Sequence, residues 1–431
     1  MGKGGQKQER QVLPWSEISK HNSKEDRWLV IGGEVYDITN WSKIHPGGPR
    51  LIGHYAGQDA TEAFGAFHKR EEVRKYLKPL HIGSVAEYKD SDIDKDFRDL
   101  KQIAIKMGLF EPSYTFYTLM LSQIILLYVM CYFTLYIFGV SWTTVILSLV
   151  FHAIAQAQAG WLQHDFGHLS VFKNSAYDHF FHQFTMTFLK GASASWWNHM
   201  HFQHHAKPNV IGKDPDVRLD ALFVVGDVMP VEVAKERKSS MPFNHQHKYF
   251  FALGPPLLFP VYFQSILFKF FIQRKLWGEM ALCLTYVFLF FYLMVPFLGG
   301  WCSVAFYFSS RCLESQWFTW VAQSNHIPMK IKNEENNPWL RLQIYATCDI
   351  TPSVFNDWFT GHLNFQIEHH LFPTMPRHNL YKIAPLVKSL CEKHNVPYIV
   401  KPLLTSFVDI YKSLKSSGEL WEETYNQFHA T

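Results

Sequence analysis

The longest uncharged stretch of this chain limits what it can fold into. From Pro112 to His164 there are 53 residues without a single aspartate, glutamate, lysine or arginine. A helix that crosses a bilayer needs about 20 consecutive apolar residues, and soluble cores rarely continue so long without charge. The stretch therefore predicts two membrane-spanning helices that turn near Gly139.

A second apolar region is harder to divide into spans. Residues 249–268 are uncharged but contain three prolines, and residues 280–310 are uncharged throughout. The basic residues at positions 269, 274 and 275 should stay in the cytosol, because basic loops favour that side. We therefore predict that residues 249–271 lie in the membrane interface and that two further spans run over 277–297 and 300–322.

Composition narrows the classes of function. Aromatic residues make up 16% of the chain, which is typical of membrane proteins with interfacial rings. The net charge is only +4 and no long basic block occurs, so no nucleic-acid partner is predicted.

Six scattered cysteines without a CxxC pair indicate a reducing compartment. The polar N-terminus has no signal-peptide core, and Gln6 stands where myristoylation requires Ser or Thr.

The first 110 residues mix charge with short β-like runs, as a small soluble domain would. His45 lies in an HPGG turn, and His68 ends the sequence AFGAFH. With these motifs, residues 10–88 resemble a cytochrome b5 domain of the small α+β class, and the alternative is two unrelated loop histidines. The resemblance implies that both histidines are axial ligands of haem b. Two imidazoles leave the iron no open position, which suits electron transfer.

Three histidine clusters follow the first pair of spans, with the sequences HDFGH, HFQHH and QIEHH. Residues three or four apart lie on one face of a helix, so the imidazoles of one cluster can converge. If the clusters build a single site, an even number of membrane crossings separates them. The clustered histidines are His164, His168, His201, His204, His205, His369 and His370.

The fused haem domain favours iron as the metal of these clusters. Imidazole ligands alone suit iron, zinc, copper or nickel, and no cysteine lies nearby to indicate structural zinc or an iron–sulfur cluster. A zinc site does not need an electron donor, whereas iron needs electrons to activate O₂. At least seven imidazoles exceed the coordination of one ion, so two ions are predicted. His326 is a further candidate ligand, and the alternative is an interfacial histidine.

The motifs HPGG, HDFGH, HFQHH and QIEHH, in this order around paired spans, resemble those of the front-end fatty acyl-CoA desaturases, in particular the vertebrate Δ6 and Δ5 enzymes. The resemblance covers nearly the whole chain. It implies a membrane desaturase domain over residues 112–431, all-α with about four transmembrane helices and a cytosolic, histidine-rich cap. The resemblance also implies that the clustered histidines of that cap bind two non-haem irons. A polar tail (residues 1–9) and a charged linker (residues 89–111) complete the predicted organisation.

Two ligand assignments depend on the family pattern in different ways. His326 is added by analogy to the stearoyl-CoA desaturases, although Ala322 stands where those enzymes have asparagine. Gln366 begins the third cluster where ordinary desaturases have histidine, as in the front-end class. An amide is a poor metal ligand, but it can hold a water molecule or hydrogen-bond to a ligand.

The resemblance implies insertion of a cis double bond into a polyunsaturated fatty acyl-CoA, with Δ6 favoured over Δ5, using O₂ and electrons from the fused haem. The chain has no GxGxxG dinucleotide motif after a strand, so a separate NADH–cytochrome b5 reductase is a predicted partner, besides membrane lipid. The predicted location is the endoplasmic reticulum membrane, with several passes and both termini cytosolic. The alternatives are another regioselectivity, a b5-fused sphingolipid desaturase or fatty acid hydroxylase, and a non-catalytic membrane haem carrier.

Charged residues near the clusters have predicted supporting roles. Arg311 and Glu314 lie three residues apart in an apolar span, so they should pair with each other or face a cavity. His199 and His362 lie near the clusters with no ligand role assigned. Four cations could hold the phosphates of CoA, with ordinary charge on the cytosolic face as the alternative: Lys190, Lys207, Lys213 and Arg377. Five acids could fix imidazole orientation by accepting a ring N–H, with solvated loop charge as the alternative: Asp165, Asp214, Asp216, Asp357 and Glu368.

Overall fold

The computed structural model describes residues 11–68, 71–218, 220–236 and 241–429, so the predicted tail of residues 1–9, with Gln6, lies outside these ranges. A four-stranded sheet of order β1-β4-β3-β2 forms the N-terminal domain, with β1 and β4 parallel and the other pairs antiparallel. Two glycines with positive φ make the tight turn between β2 and β3. The elements are β1 (Gln11–Leu13), α1 (Trp15–Ile18), β2 (Trp28–Ile31), β3 (Glu34–Asp37), α2 (Gly48–Gly53), α3 (Thr61–Phe67) and β4 (His81–Val85).

The predicted linker contains helix α4 (Asp92–Lys106), which is capped by Ser91 at its N-terminus. Charged residues such as Asp92 and Lys95 are exposed, but Ile93, Phe97 and Leu100 are buried. The Phe97 ring packs against Phe372 of the C-terminal region, with the ring centroids 5.3 Å apart. The linker therefore carries an apolar face that joins the core shared by both halves of the chain.

The 53-residue uncharged stretch forms a helical hairpin, as predicted. Helix α5 (Tyr114–Phe138) ends at Gly139, whose φ of 71° lies in the region that favours glycine. Ser141 then caps α6 (Trp142–Gly167), because its side chain accepts the backbone N–H of Thr144. Both helices are long and apolar enough to cross a membrane.

The second apolar region contains a further hairpin. The 48-residue element α12 (Trp277–Ser324) departs from helical geometry at Gly299, between the two predicted spans. Its arms fold against each other, since the rings of Phe290 and Tyr307 lie 5.1 Å apart on opposite sides of the turn. The predicted spans 277–297 and 300–322 are therefore the two arms of one kinked element.

The segment Phe243–Arg274 is also long and apolar enough to cross a membrane, and together with α5, α6 and α12 it makes four candidate membrane helices. It is not one regular helix, because α10 (Gln246–Leu257) contains two prolines and is followed by a π-helical turn, Leu258–Phe263, before α11 (Gln264–Arg274). The segment is predicted to lie in the membrane interface, because the number of membrane crossings between the histidine clusters must be even. The two arms of α12 already return the chain to its starting face.

The remaining elements form a helical cap at one end of the hairpins. The described part of the chain is thus a small α+β domain followed by an all-helical domain, as predicted. The end of α6 and the helices α8 and α15 bring the three histidine clusters together. The elements of the cap are α7 (Ser175–His182), a π-helical segment (Gln183–Leu189), α8 (Ala194–Ala206), α9 (Met229–Glu236), α13 (Trp339–Ala346), β5 (Asp349–Ile350), α14 (Val354–Phe359), α15 (Gln366–Leu371), α16 (Leu380–Lys393), β6 (Val400–Lys401) and α17 (Leu403–His429).

Candidate metal centre and haem pocket

The eight predicted metal ligands lie in two adjacent groups. Within each group, every residue offers one nitrogen that lies within 4.8 Å of the others. The histidines thus form two groups with separate nitrogen donors, and the two metal ions stay a prediction. The first group is His164, His168, His201, His205 and His369, and the second group is His204, His326 and His370.

His201 lies at the middle of the first group. Its Nε2 atom is 3.1 Å from that of His164, 2.9 Å from that of His168 and 3.1 Å from that of His205. His369 joins through an Nε2 separation of 3.0 Å from His205. Because all these nitrogens point to one place and no carboxylate lies among them, the group suits a metal that accepts imidazole ligands.

The second group has a fixed ring orientation. The Nδ1 atoms of its three histidines each contact an acceptor: Asp214 at 2.9 Å from His204, the carbonyl of Ala346 at 3.0 Å from His326, and Gln343 at 2.8 Å from His370. An Nδ1–H that donates in this way leaves Nε2 free to bind a metal. The Nε2 atom of His370 is buried without a hydrogen-bond partner, as expected of a group prepared for an ion.

Electrostatics keep most of these imidazoles neutral, which metal binding requires. Burial, together with neighbouring imidazoles, lowers the pKa of His168 to about 3 and holds the pKa of His205 and His369 well below the ordinary value. His204 differs. Burial lowers the pKa of its imidazole, but the charges of Asp214 and Asp216 outweigh that effect and raise it to about 9. The two carboxylates thus favour positive charge at the second group.

Gln366 lies beside the second group, where the third cluster begins. Its amide nitrogen is 2.8 Å from Nε2 of His326, and its Oε1 atom is buried without a partner. A side chain in this place can hydrogen-bond to a ligand, or turn its oxygen towards a metal or a bound water.

Of the five acids predicted to orient imidazoles, Asp214 contacts a ring nitrogen directly, and Asp216 lies 3.5 Å from the same atom of His204. Asp165 instead pairs with Arg377 at 3.0 Å. Asp357 accepts from Asn364 at 2.8 Å, and Glu368 contacts the hydroxyl of Tyr398. His199 and His362 lie outside both metal groups.

Sequence reasoning missed the residues that hold the third cluster in place. Asp349 accepts the backbone N–H of Ile367 at 2.9 Å, and Tyr398 contacts both Asp349 and Glu368. Burial raises the pKa of Asp349 to about 6, and burial with the charge of Asp349 raises that of Glu368 well above its usual range. Burial beside Asp349 therefore favours the protonated form of Glu368. These contacts join residues that are far apart in the chain, so no local sequence motif predicts them.

The four cations proposed to clamp CoA have other partners. Lys190 is buried and pairs with Glu314, Lys207 is buried beside Gln58, and Lys213 bonds to Glu334 at 2.6 Å. Arg377 is buried against Asp165, as described above. The structure therefore does not support the clamp.

The predicted pairing within the apolar span is confirmed. Arg311 lies 2.6 Å from Glu314, and it also donates to Gln156 at 2.9 Å. Lys190 contacts the same Glu314 carboxylate, so three ionisable side chains lie together among the membrane helices. A buried group of this kind satisfies its charges internally rather than in lipid.

A second site lies in the N-terminal domain. His45 and His68 face each other across an apolar cavity of about 450 Å³, with ring centroids 6.2 Å apart. Two metal–imidazole bonds of about 2 Å each, plus the distance from each nitrogen to its ring centre, account for that separation.

His68 directs Nδ1 to the carbonyl of Phe64 at 3.0 Å, which leaves Nε2 towards the cavity. Burial lowers the pKa of His45 to about 4, so this ligand is neutral. The cavity fits a haem with two histidine ligands.

We expect Asp214→Asn to lower iron affinity and turnover by about 10- to 100-fold, the usual effect of losing a carboxylate that orients a ligand histidine. Asp214 is fully buried and also accepts the backbone N–H of Asn209 at 2.7 Å, so it has no solvent to replace the lost charge. Iron retained per chain after dialysis against a weak chelator measures the effect.

Asp216→Asn is the matched control, because its side chain is 48% exposed and lies farther from His204. Its effect should be smaller, since an exposed charge is screened by solvent. Equal iron retention in both variants would remove the special role of Asp214.

Comparison with known proteins agrees with these two sites. Residues 140–402 match the family model for the fatty acid desaturases. Residues 14–86 match the model for the cytochrome b5-like haem/steroid binding domain. Among solved structures, the chain is similar to the cytochrome b5 of Ostreococcus tauri virus 2, with 43% identity over 17% of this chain and 96% of that one, at a TM-score of 0.17. The desaturase model covers more than half of the chain, which therefore belongs to the fatty acid desaturase family and carries a fused cytochrome b5-like domain.

Proposed function

We propose that the protein is a front-end fatty acyl-CoA desaturase that inserts a cis double bond at the Δ6 position of a polyunsaturated substrate. The observation that carries this proposal is Gln366, which replaces the first histidine of the third cluster and lies against His326 of the second metal group. Front-end desaturases have glutamine at that position. The acyl-CoA form of the substrate rests on the resemblance alone, because the cations that could bind CoA phosphates are engaged elsewhere.

The metal groups fit two non-haem irons, with His164, His168, His201, His205 and His369 around one and His204, His326 and His370 around the other. When bound, this iron pair supplies the oxidising power that an unactivated C–H bond requires. Gln366 adjusts the surroundings of His326, and Asp214 fixes the ring of His204. The protein's contribution is to hold these ligands in place and to keep most of them neutral.

A small cavity of about 30 Å³ lies beside the first metal group, and the charged side chains of Lys190 and Arg311 line part of it. Trp197 stacks on His201, with ring centroids 4.2 Å apart, and it lines the cavity together with Gly160, Phe263 and Phe318. A methylene pair held at these aromatic walls would lie near the metal groups, and positioning of this kind lowers the barrier without further chemistry. The length of the path from the cytosolic surface to this cavity would set the bond chosen.

The overall reaction requires an electron donor, which supports a role for the fused haem. Two hydrogen atoms leave the acyl chain as the double bond forms, and O₂ accepts four electrons to give two water molecules. Two of these electrons come from the substrate and two from the donor, with two protons from solvent. We propose that NADH–cytochrome b5 reductase supplies the donor electrons through the haem between His45 and His68.

We also propose that the protein lies in the endoplasmic reticulum membrane with both termini in the cytosol. The four candidate membrane helices support a membrane location. The two metal groups contain histidines from before and after α12, so an even number of crossings separates those histidines. Two crossings by the arms of α12 satisfy this condition, which leaves Phe243–Arg274 to the interface.

Feeding experiments in yeast test the proposed reaction. We expect cells that express the chain to convert linoleate and α-linolenate into products with a new cis bond at C6. The position of the bond is located by mass spectrometry, and vector-only cells are the control. Dihomo-γ-linolenate is supplied in a third culture.

The outcomes separate the alternatives. A new bond only at C5 of the 20-carbon acid would replace Δ6 with Δ5. A hydroxylated acid or a desaturated sphingolipid base would replace the front-end reaction itself. Unchanged fatty acids and sphingolipids in iron-loaded, haem-containing cells would favour a haem carrier.

A further inference from the structure

The haem pocket is not built by the N-terminal domain alone. Most of the residues that line the cavity lie before position 81, but three come from the desaturase domain: Leu169, Phe202 and Ala206. Leu169 follows the first histidine cluster directly, and the other two lie on α8, which carries the second. The same short segments therefore hold metal ligands on one side and close the haem pocket on the other.

Polar contacts fix the two domains at this place. The hydroxyl of Tyr55 donates to the carbonyl of Ala206 at 2.6 Å, which satisfies an open acceptor at the end of α8. Lys207 donates to Gln58 at 2.8 Å and lies over the ring of Tyr55, and Lys213 donates to the carbonyl of His54 at 2.9 Å. All the desaturase partners come from the last turn of α8 and the loop after it.

One aromatic side chain spans the distance between the two redox sites. Phe202 contacts the ring of Phe67 edge-to-face, with centroids 5.9 Å apart, and the ring of His168 at 5.8 Å. Phe67 precedes the haem ligand His68 in the chain, and Phe202 follows the metal ligand His201. Among the described residues, Phe202 has the ring that contacts both a residue of the haem cavity and a histidine of a metal group.

We propose that Phe202 is the contact through which electrons pass from the haem to the metal pair within one chain. The proposal rests on the desaturase function proposed above. In each transfer the haem iron is oxidised from the ferrous to the ferric state and the metal pair gains one electron. Two transfers occur per turnover, and a flavin reductase or an artificial one-electron donor re-reduces the haem. Phe202 is a positioning residue in this process, because it fills the space between the sites and holds no electron itself.

The physical reason is the dependence of electron tunnelling on the intervening medium. Tunnelling falls steeply with distance, and it falls faster across a gap or a layer of water than across packed atoms. The ring of Phe202 fills the space that would otherwise separate Phe67 from His168, and its apolar surface keeps water from the pocket. Leucine at this position is apolar but shorter and without a ring, so it would leave a gap.

The test measures electron transfer apart from catalysis. Full-chain protein loaded with haem and iron is given a sub-stoichiometric pulse of photoreductant without O₂, and haem reoxidation by the ferric metal pair is followed from haem absorbance. We expect Phe202→Leu to slow reoxidation by about tenfold, equivalent to about 1.4 kcal/mol of barrier. Phe202→Tyr keeps the ring and should transfer electrons at nearly the wild-type rate. Rates are expressed per bound haem, so partial haem loss does not imitate the effect.

Two controls make the result specific. Phe180→Leu is the same substitution at an exposed site on α7, and it should leave the rate unchanged. Tyr55→Phe removes the hydrogen bond to Ala206 that joins the two domains, and it should slow transfer. Tyr88→Phe removes the hydrogen bond from the Tyr88 hydroxyl to Asp59 within the N-terminal domain. This variant should not slow transfer.

Wild-type reoxidation kinetics in Phe202→Leu would overturn the proposal, and so would equal slowing in Phe202→Leu and Phe202→Tyr. Equal rates in Tyr55→Phe and Tyr88→Phe would contradict transfer through the docked arrangement. The feeding experiment judges the proposed reaction separately, because a hydroxylated product would change the reaction assigned to the metal pair without changing how electrons reach it.

Discussion

The His201→Ala protein is expected to bind less iron and to form no detectable desaturated product. The Nε2 atom of His201 lies within 3.1 Å of the corresponding atoms of three other histidines, so its loss opens the centre of the first metal group. We expect product formation to fall by more than about a thousandfold, which corresponds to roughly 4 kcal/mol of transition-state stabilisation. Iron per chain and desaturated product per cell are the two measurements.

His199→Ala is the matched control, because His199 lies on the same helix but outside both metal groups. It should keep its iron and its product. Normal product from the His201→Ala enzyme, with two irons still bound, would show that the first group is not the reaction centre. Loss of iron in both variants would instead indicate that α8 tolerates no substitution in this turn.

Removal of either haem ligand should have the second-largest effect and a different signature. His45→Ala or His68→Ala removes one of the two imidazoles that face each other across the cavity, so the b5-type absorbance should disappear while non-haem iron stays bound. Turnover in yeast without any other cytochrome b5 should fall to below about a hundredth, or about 2.7 kcal/mol in barrier terms. A separate microsomal cytochrome b5 would restore part of it.

The control for haem removal is His81→Ala in the same domain. His81 pairs with Glu34 on the sheet and does not line the haem cavity. Its variant should keep both the absorbance and the turnover. Full activity of the His68→Ala enzyme in the strain without other cytochrome b5 would exclude the fused haem as the electron donor.

The membrane hairpins could be predicted because their signal is continuous along the chain. The uncharged stretch from Pro112 to His164 became α5 and α6, and the break of α12 at Gly299 lies between the two spans that charge and parity indicated. The segment Phe243–Arg274 was harder to assign. Its length and apolar composition fit a membrane span, but its prolines and π-helical turn interrupt regular helical geometry. Local composition does not distinguish a broken interfacial helix from a crossing one.

The histidine clusters could likewise be found from the sequence, because helical spacing puts their imidazoles on one face. The division of the histidines into two groups could not, since it depends on how α6, α8 and α15 meet in space. Sequence proximity misled the assignment of supporting charges. Arg377 was a candidate for binding a substrate head group but pairs with Asp165, and Lys207 was another candidate but lies buried beneath the haem domain.

The residues that hydrogen-bond to the ligand histidines could not be predicted from the sequence, for the same reason. Gln343 accepts from His370 and donates to the carbonyl of His205, so it connects the second and third clusters, yet nothing in its own neighbourhood indicates this. Asp214 was one of five candidate acids near the clusters, and the packing brings its carboxylate to 2.9 Å from His204. Contacts between distant segments are a property of the packed structure, and a single sequence does not encode them in a readable pattern.

The charged residues buried among the membrane helices have a consequence for biogenesis. Each ionised side chain at the centre of an inserting helix costs about 2.5–3.5 kcal/mol, and the second arm of α12 carries both Arg311 and Glu314. Their mutual pairing reduces that cost, and the rest is offset by Gln156 and Lys190, which precede them in the chain. These partners are already synthesised when the second arm emerges from the ribosome. The second hairpin is therefore expected to depend on the first for stable residence in lipid.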